Sequence, residues 1–399
     1  LSLALAAIML IGMMVVSASA ASYNDLTDKD QIVNKDAVSM LVSLGIIEGK
    51  PDGSYGPTEN VDRAQMAKML SVIMNKGVDN SALYQSVNSG LVDVNTNWAK
   101  GHINYCYTTG IIAGRGNGKF DPSATVTALE AAKMLLVAVG YDPAIEGFEG
   151  ADWAINVSVR ADEQGIFEGF TKDLSAPLNR DDAALLIYNA LDVEMIQSYT
   201  TNNYPIVYSD HRTILSDKYG VIKVEGVVTA NEWAILDDDT DTALQEGKTR
   251  IYNPDGILST TGNTAVAQDS SANVKTQVFN VSTPVDMLGK AVTMYVKKTT
   301  ILADSTVYGA PVVSDVNTVI ETGEKVTGGD SKDDDSLAAL LKGTGLATDK
   351  ATEYYHNYEE VAIDSADVDD IMNVKGAALT VIDNDNDGYV NYVISVEKS

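Results

Sequence analysis

The stretch Gly110-Ile111-Ile112-Ala113-Gly114-Arg115-Gly116-Asn117-Gly118-Lys119-Phe120-Asp121-Pro122-Ser123-Ala124-Thr125-Val126-Thr127-Ala128-Leu129-Glu130 decides the fold. An apolar run ends on a glycine, the residue that accepts the left-handed backbone of a helix C-terminus. A Gly/Asn loop carrying Phe120 and Pro122 follows, and Thr127-x-x-Glu130 is a capping box that opens the next helix. The same order occurs earlier, as Gly45-Ile46-Ile47-Glu48-Gly49, Asp52-Gly53, Tyr55, Pro57 and Asp62-x-x-Gln65. It occurs later in shortened form, as Gly165-Ile166-Phe167-Glu168-Gly169, Pro177 and Asn179-x-x-Asp182. The spacing predicts a helix–loop–helix unit repeated three times. One such hairpin buries little alone, so the three are expected to pack on one another.

The flanks support the same reading. Ala37, Val38, Met40, Leu41 and Leu44 form one helical stripe, and Ala64, Met66, Ala67, Met69, Leu70 and Ile73 form the next. Ala131, Ala132, Met134, Leu135 and Val139, then Ala184, Leu185, Ile187 and Leu191, repeat the second helix. Trp98 and Trp153 stand twelve residues before Gly110 and Gly165, with Val33 in that place in the first copy.

From about Tyr199 onward Val, Thr and Tyr alternate with polar residues, the pattern of strands. The clearest runs are Val221 to Val228, Ala291 to Lys297 and Ala378 to Ile382. Asp237-Asp238-Asp239 and Asn253-Pro254-Asp255-Gly256 read as turns, Lys325 to Asp335 as a loop or linker, and Leu337 to Leu341 as a short helix. The expected class is multidomain α plus β: a helical module followed by a β-rich region of one or two units. The boundaries read as 21–80, 88–141 and 145–196 for the repeats and 199–399 for the β-rich region.

Leu1 to Ala20 is apolar and ends Ala18-Ser19-Ala20, which reads as a secretory signal cleaved before Ala21, with a transmembrane anchor as the alternative. Leu1 in place of Met predicts a truncated reading frame. The net charge of −28 sets the chain against nucleic acid and anionic membranes, and favours divalent cations. Cys106, the single cysteine, excludes an intramolecular disulfide and suits a small core residue. A secreted chain so poor in cysteine fits a Gram-positive surface.

The triple repeat resembles the S-layer homology (SLH) family over roughly Tyr23 to Ile196. The residues that carry the resemblance are Asp93-Val94, Trp98-Ala99, Gly110 to Gly114, Asn117 to Pro122 and Thr127-Ala128-Leu129-Glu130. In the first copy they are Asp25-Leu26, Gly45 to Gly49, Asp52 to Pro57 and Asp62-Arg63-Ala64-Gln65. In the third they are Trp153-Ala154, Gly165 to Gly169 and Asn179-Arg180-Asp181-Asp182. The resemblance implies a pseudo-threefold helical module that binds secondary cell-wall polysaccharide, often pyruvylated. It implies a secreted protein of the cell wall or S-layer that can self-assemble or meet other surface proteins. The family's arginine carries over to Arg63 and Arg180, beside Asp62 and Gln65, whereas Ala128 leaves the second copy without it.

A cation just inside a helix N-terminus is disfavoured by the macrodipole, unless it faces an anion also drawn to the free N–H groups. Arg63 and Arg180 are therefore expected to face such an anion, and Ala128→Arg to help if its groove is otherwise complete. Trp98 and Trp153 suit core packing, with stacking on sugars as the alternative. Gly114 to Lys119 superficially resembles a phosphate loop, but Phe120 stands where Ser or Thr is needed.

Asp383-Asn384-Asp385-Asn386-Asp387-Gly388-Tyr389-Val390-Asn391 is a second signal. Side-chain oxygens of Asp383, Asp385, Asp387 and Asn391, with the Tyr389 carbonyl, match a calcium loop between strands, although Ile394 stands where an EF-hand has glutamate. The alternative is a hairpin turn with no metal. Three scattered histidines and no catalytic motif favour a non-enzymatic surface protein. A wall-anchored polysaccharide-degrading enzyme is the alternative, which a cleft with convergent carboxylates in the β-rich region would favour.

Overall fold

The computed structural model describes residues 23–236, 243–257, 274–297, 303, 305–323, 337–361 and 376–397. The leader Leu1 to Ala20, the Asp237 to Asp239 turn and the Lys325 to Asp335 stretch lie outside the described residues. The chain divides into two compact units, Leu1–Tyr208 and Ser209–Ser399.

Among its described residues the first unit contains six α-helices: α1 (Lys35–Ser43), α2 (Arg63–Met74), α3 (Lys100–Thr108), α4 (Ala128–Val139), α5 (Trp153–Glu163) and α6 (Arg180–Leu191). The helix preceding each loop ends at a glycine with positive φ, Gly45 (70°), Gly110 (80°) and Gly165 (69°). At each of these caps the next residue returns its N–H five residues back: Ile46 to Leu41, Ile111 to Cys106 and Ile166 to Ala161. The second helices open on side-chain caps. Asp62 accepts from Gln65 N–H at 2.7 Å and Gln65 accepts from Asp62 N–H at 2.9 Å. Thr127 and Glu130 make the same reciprocal pair, and Asn179 accepts from Asp182 N–H at 2.8 Å.

Three loops meet edge to edge. Val61 N–H donates to Leu178 C=O (2.8 Å), Leu178 N–H to Val126 C=O (2.7 Å) and Val126 N–H to Val61 C=O (2.9 Å). Each loop thus donates to one neighbour and accepts from the other, and the ring closes. Helix packing follows the same order: α3 lies on α2, α5 on α4 and α1 on α6. Asp181, at the start of α6, closes the circuit by accepting the N–H groups of Val33 and Asn34 ahead of α1. The interior is filled by Met66, Leu70, Ile103, Phe120, Leu135 and Ile187, all buried with Cys106.

Two sequence expectations are corrected here. The partner of Asp93 in the first copy is Asp28, not Asp25. Asp93 accepts the N–H groups of Phe120 and Asp121, and Asp28 accepts those of Tyr55 and Gly56. In the third loop the place of Pro57 and Pro122 belongs to Leu174 rather than Pro177. Leu174 C=O receives Leu129 N–H as Pro57 and Pro122 receive Asp181 and Ala64 N–H. The antiparallel hairpin β1 (Ile196–Tyr199) and β2 (Pro205–Val207) also belongs to this unit. The β-rich region expected from Tyr199 is therefore divided, and the second unit opens at Ser209.

Among its described residues the second unit holds two five-stranded sheets. The first runs β5-β4-β3-β6-β7, all antiparallel, from β3 (Val221–Ala230), β4 (Thr249–Tyr252), β5 (Thr276–Phe279), β6 (Ala291–Lys297) and β7 (Val307–Val313). The second runs β10-β9-β12-β11-β8, from β8 (Thr318–Glu321), β9 (Glu353–His356), β10 (Glu359–Glu360), β11 (Ala377–Asp383) and β12 (Tyr392–Glu397), with β12 and β9 parallel. Strand alternation divides the side chains of the second sheet. Ile382, Tyr392 and Ile394 join Val224, Val292 and Met294 in one core. Leu379, Val381 and Val393 face the other way and pack with Leu337 and Leu341 of the short helix α7 (Leu337–Leu341). Among the described residues no helix is long and apolar enough to cross a membrane.

Burial by itself would raise the carboxyls of Asp28 and Asp93, but the N–H bonds they accept together outweigh it and hold both below their ordinary value. The stability they contribute is present above the unfolded-state pKa and is lost as pH falls through the lower folded value. Asp28→Ala and Asp93→Ala should each lower the stability of the first unit by about 1.5–3 kcal/mol, the scale of a hydrogen bond to a charged group. Chemical denaturation at pH 7 followed through this unit's transition measures it, and the difference from wild type should shrink below pH 4.

Candidate functional site: two grooves between helical repeats

The arginines do not face an open helix N-terminus. The first N–H groups of α2 are taken by the neighbouring loop, Arg63 N–H by Ala124 C=O and Ala64 N–H by Pro122 C=O. The same holds for α6, where Arg180 N–H donates to Glu59 C=O and Asp181 N–H to Pro57 C=O. An anion would find no free donors there, so the expectation of a shared helix-end site is withdrawn. Asp62 is occupied by its cap. The guanidinium groups instead reach sideways, each against the loop of the following repeat.

Arg63 is 4% exposed. Its Nε donates to Phe120 C=O at 2.8 Å, its Nη2 donates to Ala113 C=O at 2.9 Å, and its Cζ lies 4.4 Å from the centroid of the Phe120 ring. Burial, then the neighbouring Arg115, brings its pKa down to about 10, so it stays charged at neutral pH. Beside it opens a groove of about 440 Å³, lined also by Gly114, Glu130, Lys133, Glu149 and Trp153. Lys133 Nζ donates to Phe148 C=O and lies 5.7 Å from the Trp153 ring centroid. Arg115 pairs with Glu130 at 2.8 Å. We call this groove A.

Arg180 repeats the arrangement over Tyr55, 4.6 Å from ring centroid to Cζ, with Tyr55 Oη donating to Arg180 C=O at 2.7 Å. Its Nη2 donates to Glu48 C=O at 3.3 Å, and its buried Nε makes no hydrogen bond. The adjoining groove, B, encloses about 170 Å³ and is lined by Ile46, Glu48, Gln65, Lys68, Met69 and Trp98 among others. Each groove therefore joins three repeats: an arginine from one, a Gly-Ile-Ile loop with its following helix from the next, and a tryptophan from the third.

The tryptophans are not core residues. Trp98 is 57% exposed at the rim of groove B, and Trp153 is partly buried in groove A. Under Trp98 lies the buried His102, its ring edge 64° to the indole and its Nδ1 2.6 Å from Ser71 Oγ. Asp79 lies 3.6 Å from the other nitrogen. Ser71 is itself buried and its hydroxyl donates to Lys68 C=O, so this set packs α2 against α3. Lys68 and Lys133 were not singled out from the sequence. Their shared place, three residues after Gln65 and Glu130, was the available signal.

The third interface differs at every one of these places. Ala128 replaces the arginine, Lys172 the aromatic ring, Asp182 the Gln65/Glu130 position, Leu185 the lysine and Val33 the tryptophan. Lys172 and Asp182 pair with each other at 2.5 Å. Restoring an arginine at Ala128 would therefore not restore a groove.

In the second unit, the Asp383 to Asn391 loop joins β11 to β12. The carboxylates of Asp383, Asp385 and Asp387 lie within 4.8 Å of one another. Asp383 also accepts the N–H groups of Asp385, Asn386 and Gly388. Asn391 Oδ1 accepts Asn384 N–H at 2.7 Å, so it is engaged within the loop, and Tyr389 is exposed. A cavity of about 530 Å³ beside this loop is lined by Glu225, Asp255, Glu353 and Asp385, with Tyr252 and Tyr392.

Residues 22–67 and 92–132 match the S-layer homology domain. The chain is similar to a cell surface protein of Thermoanaerobacter kivui, 27% identical over 377 residues, which is 94% of this chain and 42% of that protein. It is similar to an S-layer protein of Bacillus licheniformis, 33% identical over 113 residues, which is 28% of this chain and 12% of that protein. An amylopullulanase of Thermoanaerobacterium thermosulfurigenes is 30% identical over 185 residues, 43% of this chain and 10% of the enzyme. The chain spans less than half the length of each of these relatives.

Because Arg63 holds two carbonyls inside the unit, Arg63→Ala is expected to cost about 1–3 kcal/mol of stability by leaving buried acceptors unpaired. Arg180→Ala should cost less, since one of its bonds is long and its Nε makes none. Denaturation curves of the two variants, measured side by side, test the order.

Proposed function

We propose that the first unit is a pseudo-threefold module of three SLH repeats that holds the chain non-covalently at the cell surface by binding secondary cell-wall polysaccharide. The observation that carries this reading is the pair of like-built grooves. Each offers a sugar-sized recess, an indole face, an arginine fixed over an aromatic ring and a lysine. An indole stacks on the apolar face of a pyranose, while the cations suit a carboxylate such as a pyruvyl substituent. Arg63, Arg180, Trp98 and Trp153 are the contacts on this reading, with Gln65 lining groove B and Asp62 holding the helix start. The similarity to surface and S-layer proteins, and the acidic, cysteine-poor composition, support a secreted protein of a Gram-positive-type wall, able to assemble with copies of itself or with other surface proteins.

Purified cell walls with and without their secondary polysaccharide provide the test. The double variant Arg63→Gln/Arg180→Gln should bind such walls at least tenfold more weakly, about 1.4 kcal/mol or more, with folding verified by circular dichroism. Equal binding by well-folded protein would place the anchoring contact elsewhere.

We further propose that the Asp383 to Asn391 loop takes Ca2+. Three carboxylates converge within 4.8 Å, and a divalent cation relieves their repulsion. Asp385 and Asp387 would be the principal ligands with Asp383, the Tyr389 carbonyl would add a fourth, and Asn391 would contribute after releasing Asn384 N–H. At a hundredfold excess over its dissociation constant, calcium would stabilise the second unit by about 2.7 kcal/mol. The melting temperature should therefore rise in calcium relative to chelator, and Asp385→Asn/Asp387→Asn should remove the rise.

The acidic cavity beside that loop favours one alternative, a wall-anchored polysaccharide-degrading enzyme. Release of reducing sugar from wall polysaccharide by the purified chain would decide for it; no release would count against that activity and leave the non-enzymatic reading in place.

A further inference from the structure

Grooves A and B share a frame but differ in the charges that line them, and one difference falls on the Gly-Ile-Ile-x-Gly run itself. The fourth position of the Gly-Ile-Ile-x-Gly run is Ala113 in groove A and Glu48 in groove B. Its backbone does the same work in both, since the C=O of Ala113 accepts from Arg63 and that of Glu48 accepts from Arg180. The side chain does not. Glu48 turns into groove B and pairs with Lys68, Oε1 to Nζ 2.7 Å. The corresponding Lys133 meets the carbonyl of Phe148. Groove A has two carboxylates. Glu130 is engaged by Arg115 and by the N–H of Thr127. Glu149 lies near enough to Lys133 to favour its charge but forms no ion pair with it like that of Glu48 with Lys68.

We propose that Glu48 is a built-in counter-anion that occupies the place on Lys68 which the acidic group of a wall glycan would take. Groove B is thereby held in a self-paired state, and groove A is the principal binding groove. This inference rests on the glycan-binding reading above. Two features make the self-pairing reversible. Glu48 and Lys68 are both solvent-accessible, and an exposed ion pair holds only weakly. Arg180 Nη2 makes only a long bond of 3.3 Å to the Glu48 carbonyl, so an incoming carboxylate that meets it gains a stronger, charge-assisted bond. Glu48 thus attenuates groove B through competition and like-charge repulsion rather than by filling it.

The test measures binding of the full chain to purified Gram-positive cell walls that retain their secondary polysaccharide. Glu48→Ala and Glu48→Gln should each tighten binding about three- to fivefold, the range open to removal of an exposed competing pair. With groove A impaired by Arg63→Gln, adding Glu48→Ala should recover binding, and adding Arg180→Ala to that pair should abolish the recovery. Lys133→Met serves as a second way to impair groove A if Arg63→Gln does not fold. If the arginine variants weaken binding but the Glu48 variants bind as wild type or worse, the counter-anion is refuted and the glycan reading stands. If well-folded Arg63→Gln and Arg180→Ala proteins both bind as wild type, the glycan reading falls and this inference with it.

Discussion

The first unit depends on three backbone hydrogen bonds that run head to tail among Val61, Val126 and Leu178. They bring the three loops together at one point, and the loops in turn supply carbonyls to the N-termini of the neighbours' helices. A helix start normally leaves several N–H groups without an intrahelical partner. Here those groups are satisfied across repeats, so no repeat is complete without the one beside it. The same crossing puts each arginine against the next repeat's aromatic ring. The grooves are a by-product of this interlocking, since each is framed by parts that only the closed ring assembles.

Local chemistry was legible in the sequence, and cross-repeat chemistry was not. Capping pairs such as Asp62 with Gln65, and helix-ending glycines such as Gly110, act over three to five residues and can be read from spelling. The calcium-type loop could be placed between strands for the same reason, and β6 falls on the run Ala291 to Lys297. Asp25-Leu26 imitates the Asp93-Val94 spelling, but the role of that aspartate is to receive N–H groups 27 residues later, which Asp28 does. The surroundings of Arg63 are set by Ala113 and Phe120, about fifty residues away, so propensity at its own helix start could not reveal them. Core packing is the first expectation for Trp98 because a large aromatic usually packs inside; its exposure, which goes with the alternative of stacking on sugars, is decided by a groove that three segments build. The parallel pairing of β12 with β9 has no local signature either.

The third interface shows what the frame tolerates. Lys172 and Asp182 replace the ring and polar residue seen elsewhere, Ala128 removes the cation that would repel Lys172, and Leu185 lies over Gly169. These changes are mutually consistent: a lysine where the arginine's aromatic partner would be requires a nearby carboxylate and no second cation. The backbone ring is unchanged by them. A shape set by main-chain bonds leaves side chains at each joint free to serve either as a recess or as a plug.

The contact between α1 and α6 has a kinetic consequence. The N–H groups ahead of the first helix are received by Asp181, a separation of about 147 residues. Contacts of such long range make folding slow, because the loop must close before the contact rewards it. During synthesis α1 emerges long before its partner exists. The first repeat must therefore wait, with its apolar stripe unmatched, until α6 has followed. The α2–α3 and α4–α5 pairs can form from neighbouring sequence, so the joint between the first and last helices is the step that closes the unit.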